Sequence, residues 1–163
     1  MAEFEIAVAQ VLKREGGFVD HPADLGGPTK YGISSRSYPH LSIEALTESQ
    51  AKLLYKKDFL GELFDRIPSQ KIADKLFDCC VHLGKSAGVL LLQEALGEVR
   101  MGVTVDGIFG PQTLQAVRLA CQSKAQLLLD AMRYRQAKHY VTRVLAQPSQ
   151  QVFLDGWLRR VVI

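Results

Sequence analysis

The 163-residue chain sets 20 lysines and arginines against 17 aspartates and glutamates, for a net charge of +3 and a pI near 8.8, with 47% hydrophobic and 23% charged residues. That composition suits one soluble globular domain long enough to bury a core, and it favours an anionic partner, cell-wall polymer or nucleic acid, only mildly. No run of five like charges offers an arm for nucleic acid, and the apolar run around Val89 to Leu92 is too short for membrane insertion.

Phe4, Ile6, Val8, Val11 and Leu12 recur at near-helical spacing, which predicts a helix over roughly Glu3 to Glu15, stopped by Gly16-Gly17. A loop dense in glycine, proline and aspartate follows, and then a short β element, a small hairpin near residues 29–35. Thr47-Glu48-Ser49-Gln50 has the form of a capping box and opens a helix with Ala51, Leu54, Tyr55 and Phe59 on its apolar face. Ser69 stands where it can cap the next helix, striped by Ile72, Ala73, Leu76, Phe77 and Cys80, and Ser86 opens another as far as Gly97. Beyond a turn-rich connector at Gly102 to Gly110, Pro111 takes the first position of a helix running to about Cys121. A long helix, Ala125 to Leu145, and a last one after Pro148 that carries Trp157 complete a mainly α fold. Strands and helices do not alternate, and no internal repeat is present.

Cys79, Cys80 and Cys121 are odd in number and two are adjacent, so they read as reduced core thiols of a protein made in the cytoplasm. Glu3 and Glu5 stand where an export signal needs Lys or Arg, so no signal peptide is expected. Cys79-x-x-His82 lacks the further ligands of a zinc site. His21, His40, His82 and His139 show no metallopeptidase spacing, and neither a nucleophile elbow nor a phosphate-binding loop occurs. No metal or other cofactor is expected.

Glu15 stands out. On position alone it is a solvated residue at a helix end. Yet the C-terminal end of a helix carries roughly half a negative elementary charge, which disfavours a carboxylate there. A covering loop would add desolvation in the same direction. Both effects favour the protonated acid, which is what a group protonating a leaving oxygen near neutral pH requires. Asp24 lies nine positions beyond Glu15 and Thr29 five beyond that, with Gly26-Gly27-Pro28 able to turn Thr29 back towards the helix end. An acid, a second carboxylate and a hydroxyl on one hairpin suit glycoside hydrolysis. Inversion needs the carboxyls roughly 6.5–9.5 Å apart, so that a water fits between.

The stretch Glu15-Gly16-Gly17-Phe18, with Pro22, Asp24, Gly26, Gly27, Thr29, Gly32 and Ile33, resembles the signature of the glycoside hydrolase family 108 N-acetylmuramidases. These are lysozyme-like phage endolysins and secretion-associated wall hydrolases. The resemblance implies a lysozyme-like helical fold, with Glu15 as the acid that cleaves the β-1,4 bond after N-acetylmuramic acid. It gives Asp24 and Thr29 the role of holding the water. The loop is also similar to the E-x8-D-x5-T arrangement of phage-type lysozymes, although Asp24 to Thr29 is one residue short of it. Asp20 competes with Asp24 as the second carboxylate. His21 reads as a hairpin residue, and Tyr31 as a sugar-site or packing residue.

In the second half, Leu92, Gln93, Leu96, Asp106, Gly107, Phe109, Gly110 and Thr113 resemble the pattern of small peptidoglycan-binding modules. The expected organisation is a catalytic segment over 1–88 and a peptidoglycan-binding-like helical segment over 89–163, packed into one lysozyme-like unit. The motif residues read as turn and core. Trp157, beside Arg159 and Arg160, reads either as a sugar platform with contacts to anionic peptide or as a buried residue closing the core.

The function expected is a peptidoglycan muramidase acting as a monomer. A lytic transglycosylase on the same bond and a non-catalytic wall-binding protein stand beside it. Access to the wall would run through a holin-like pore, lysis or a secretion apparatus, with the enzyme made in the cytoplasm and acting in the periplasm. No nucleic-acid partner is expected.

Overall fold

The structure, a computed structural model, describes residues 2–15, 17–19 and 27–162; at residues 14, 15, 19 and 59–62 it describes the backbone alone. Among the described residues the chain forms seven α-helices and one small sheet. The helices are α1 (Phe4–Glu15), α2 (Glu48–Tyr55), α3 (Gln70–Leu83), α4 (Lys85–Glu98), α5 (Pro111–Ser123), α6 (Ala125–Ala146) and α7 (Leu154–Val161).

Helix α1 begins where the Gln70 side chain closes on the backbone of Glu3. The Glu3 N–H donates to Gln70 Oε1 at 2.7 Å, and Gln70 Nε2 donates to the Glu3 carbonyl at 3.2 Å. Further along, Gln10 Nε2 donates to Asp74 Oδ2 at 3.1 Å. These ties pin α1 against the first half of α3. Val8 and Val11 face inward, and Phe4 meets Phe64 and Phe77 edge-on at 5.8 and 5.5 Å, a geometry aromatic pairs favour.

The sheet is antiparallel with strand order β1 (Phe18–Val19), β2 (Thr29–Lys30), β3 (Ile33–Ser34). The hairpin expected near 29–35 is β2–β3. Strand β1 adds to it, pairing Phe18 with Lys30 and Val19 with Thr29.

The capping box of α2 forms as expected: the Gln50 N–H donates to Thr47 Oγ1 and the Thr47 N–H to Gln50 Oε1. The chain then passes into a π-helical turn, Lys56–Leu60, and a 3₁₀ segment, Gly61–Arg66. The two serine caps work out differently. Ser69 holds the N-cap position of α3, but its side chain makes no capping hydrogen bond. Helix α4 starts after Gly84, not at Ser86, because this glycine at φ 92° turns the chain from one helix into the next in a single residue. Four residues on, a Cβ on Gly88 would lie 2.6–2.7 Å from the backbone of Cys80. Only glycine lets α4 lie that close to α3. Pro111 opens α5, and Pro148 opens a 3₁₀ turn, Pro148–Phe153, that leads into α7.

One hydrophobic cluster runs from α1 through α6. Cys79 and Cys80 are enclosed in it, and burial pushes the Cys79 thiol up to about 12. Cys121 is half-buried, on a face of α5 that the core does not fully cover. In the connector before α5, Gln93 acts as a hub. Its Oε1 accepts the N–H groups of Asp106 and Gly107 at 3.0 and 2.9 Å, and its Nε2 donates to Asp106 Oδ1 at 2.8 Å. Asp106 is thereby held below the usual carboxylate range, first by Gln93 and then by the Ile108 N–H. Phe109 is buried beneath. The Asp106-to-Gly110 motif is turn and core, as its pattern predicts.

Candidate active site

The site grows from the end of α1. Glu15 is the last residue of that helix, where the unpaired carbonyls gather negative potential. Only Gly16 and Gly17 separate it from β1. The Val19–Thr29 pairing then brings the chain back, so that Thr29 stands across the sheet from a residue four positions after Glu15. Asp24, Asp20 and His21 lie outside the described residues, as does the Glu15 side chain.

Thr29 donates its hydroxyl hydrogen to the Gly27 carbonyl at 3.0 Å. That bond consumes the donor and leaves the oxygen free to accept from water. Gly27, at φ 69°, makes the turn possible, since a Cβ there would strike Ser35 Oγ at 2.6 Å. Ser35 is held in turn by its N–H on the Pro28 carbonyl at 2.9 Å.

Tyr31 and Gly32 form the two-residue turn between β2 and β3, at φ 55° and φ 76°. A tight hairpin of this twist needs both positions left-handed, which Asn or Gly normally supplies. Tyrosine there costs about 1 kcal/mol or more. The turn is secured from below, where the buried Tyr55 hydroxyl donates to the Tyr31 carbonyl at 2.6 Å. Tyr55 reads from the sequence as one more apolar-face residue of α2, and nothing local marks its partner. Beside the hairpin, the Tyr38 hydroxyl donates to Asp58 Oδ2 at 2.7 Å. Burial and this bond raise Tyr38 to about 12.

Trp157 lies elsewhere, on α7. Its indole stacks with Tyr140 at 5.4 Å and with Phe153 at 5.9 Å, and the Arg143 guanidinium lies over the ring 5.3 Å from its centroid. Both flat neighbours compete for the ring faces that a sugar platform would need. Its described ring contacts join it to α3 and α6, not to the sheet with Thr29 and Tyr31. Beneath it runs a buried polar chain absent from the sequence reading. Lys75 Nζ donates to Gln136 Oε1 at 2.9 Å and to the Arg160 and Val161 carbonyls at 2.7 and 3.1 Å, while Arg160 Nη1 pairs with Asp78 at 3.0 Å. The charged groups of α3 thus hold the end of α7. Among the described residues no group of three or more His, Cys, Asp or Glu could hold a metal ion.

Residues 8–84 match the family described as glycosyl hydrolase 108, and residues 87–162 match a predicted peptidoglycan domain. The N-terminal half belongs to the glycosyl hydrolase 108 family. A solved structure, Brucella abortus SagA, is similar to the hydrolase at a TM-score of 0.77 and 28% identity, over 98% of this chain and 89% of that one. The two share a mainly helical, lysozyme-like fold. Among curated proteins none matches this glycoside hydrolase. The two family matches together make it a peptidoglycan hydrolase.

Proposed function

We propose that the enzyme is an N-acetylmuramidase, hydrolysing the β-1,4 bond between N-acetylmuramic acid and N-acetylglucosamine with Glu15 as the general acid. In this reading Glu15 protonates the glycosidic oxygen, and Asp24 and Thr29 hold the attacking water on the opposite face of the sugar. Residues 1–88 act as the catalytic segment, and residues 89–163 form a peptidoglycan-binding-like helical segment packed with it into one unit. The enzyme works as a monomer on the periplasmic wall, reached from the cytoplasm through a pore, by lysis or with a secretion apparatus.

The observation that carries this reading is the Val19–Thr29 pairing, which returns a hydroxyl with a free acceptor oxygen to the strand leading out of the Glu15 helix end. Helix-end position favours a protonated Glu15, and the Thr29 oxygen is suited to accept from water, not to donate to sugar. Digestion of purified peptidoglycan followed by borohydride reduction tests it. New reducing ends on N-acetylmuramic acid are expected. Reducing N-acetylglucosamine would mean the other glycan bond is cut, and 1,6-anhydro ends would mean that Glu15 serves a transglycosylase needing no held water.

A further inference from the structure

Helix α6 packs on α3, α4, α5 and α7. Its buried side carries Leu128, Met132, Gln136 and Tyr140, each about one turn after the last. The opposite side of such a helix is expected to be polar, and here it is not. Leu127, Tyr134, Val141 and Leu145 are 44–76% exposed. At 3.6 residues per turn their positions fall within about 40° of one another around the axis, directly opposite the buried side. Single exposed apolar residues are ordinary. A line of them about 27 Å long is a seam.

Two exposed charges interrupt the seam, Asp130 one turn before Tyr134 and Lys138 one turn after it. Leu127 and Val141 stand beyond them, each two turns from Tyr134. Read in either direction from Tyr134, the order is charge and then apolar residue, with the sign of the charge inverted. A second copy laid antiparallel, with a two-fold axis through Tyr134, sets Leu127 of each copy on Val141 of the other. It also sets Asp130 of each opposite Lys138 of the other. A parallel copy would set Asp130 on Asp130 and Lys138 on Lys138, which like charges oppose. Asp130 holds Arg133 at 3.2 Å and Gln126 at 3.0 Å within its own helix, through exposed bonds that leave the carboxylate able to accept again. At the flank, Arg135 is neutralised by Glu94 and Glu98.

We propose that the exposed face of α6 is a docking surface for a second copy of this chain, paired antiparallel about Tyr134 into a two-fold dimer. A contact between identical patches must be self-complementary, and the sign-inverted order around Tyr134 has that property; an unrelated partner would not require it. Each copy keeps its own Glu15 helix end, because α1 packs on α2 and α3. Cleavage therefore remains the work of a single chain, and the pairing does not depend on which bond is cut. One helix seam lies at the small end of specific interfaces, so the dimer forms at about 10–100 µM.

Sedimentation equilibrium of the whole chain, from about 1 to 500 µM, tests it. The average mass should climb from 18.1 kDa towards twice that value. Asp130→Lys alone and Lys138→Glu alone each set like charges across the seam and should weaken association about tenfold or more. An equimolar mixture of the two variants restores opposite charges at both contacts and should regain wild-type association, which a merely misfolded variant cannot do. Both side chains are exposed, and circular dichroism checks that each variant keeps its helices. A wild type that stays monomeric throughout would overturn the proposal, and sedimentation with anionic phospholipid vesicles would then assign the seam to a membrane surface. Association that survives in both variants, or that fails to return in the mixture, would equally overturn it.

Discussion

The Tyr55 hydroxyl, buried on α2, donates a 2.6 Å hydrogen bond to the carbonyl of Tyr31, the left-handed residue in the hairpin beside Thr29. A strained backbone persists when its surroundings over-determine it, and here a helix of the core does so. Tyr55→Phe keeps the ring against Phe77 and removes only the hydroxyl. It should cost about 1–2 kcal/mol, lowering the melting temperature by roughly 2–8 °C for a chain of this size. Glycan cleavage should fall with it, because the turn beside Thr29 loosens. Unchanged melting and unchanged activity would mean that the bond restrains nothing.

Gln93 satisfies two backbone N–H groups and the Asp106 carboxylate at once. Gln93→Leu fills the same space and leaves those groups without partners. A loss of about 2–4 kcal/mol is expected, read as a lower urea midpoint with an unchanged m-value. Stability within about 0.5 kcal/mol of wild type would show that water replaces the hub.

His82 makes stability depend on pH. An ordinary histidine titrates near 6.5, and this one is held near 4 in the native state by burial and the Arg160 charge, with Arg143 and His139 adding to it and Asp78 opposing. Below pH 6.5 the unfolded chain takes up a proton that the native chain refuses. Stability is therefore complete above about pH 6.5 and drains away as the pH falls towards 4, by at most about 2–3 kcal/mol. Denaturation midpoints measured across pH 4–7 should fall in the wild type and flatten in His82→Gln. An equal slope in both would place the pH dependence on other groups.

These cases divide what the sequence makes legible from what it does not. The capping box at Thr47, the helix start at Pro111 and the hairpin at Gly32 are local signals, settled within a few residues. Strand β1 is two residues long and exists only through its pairing with β2, so no periodicity announces it. Lys75 and Asp78 sit in α3 among apolar residues and take their partners 58 to 86 positions away. Trp157 reads from the sequence either as a platform or as a residue closing the core, because Tyr140 and Phe153, which stack on its ring, are recognisable as neighbours only after α6 and α7 pack. Ser86 loses to Gly84 as the start of α4 because the single-residue link between helices demands a positive φ.

Gly88 is the sharpest test of that packing. Gly88→Ala would set a methyl 2.6–2.7 Å from the Cys80 backbone, which no rotamer change relieves. A loss of about 2–3 kcal/mol or more is expected from the forced separation of α3 and α4, measured by thermal unfolding. Wild-type stability would show that the two helices part freely.

The central claim is that a carboxyl at the end of α1 delivers the proton to the glycan. Turnover of purified peptidoglycan by Glu15→Gln, compared with wild type at equal folded concentration by circular dichroism, tests it most directly. Glutamine matches the shape and donates no proton to a leaving oxygen, so the rate should fall about 10²–10⁴-fold with the melting temperature preserved. A variant that keeps more than a tenth of wild-type turnover would contradict the account.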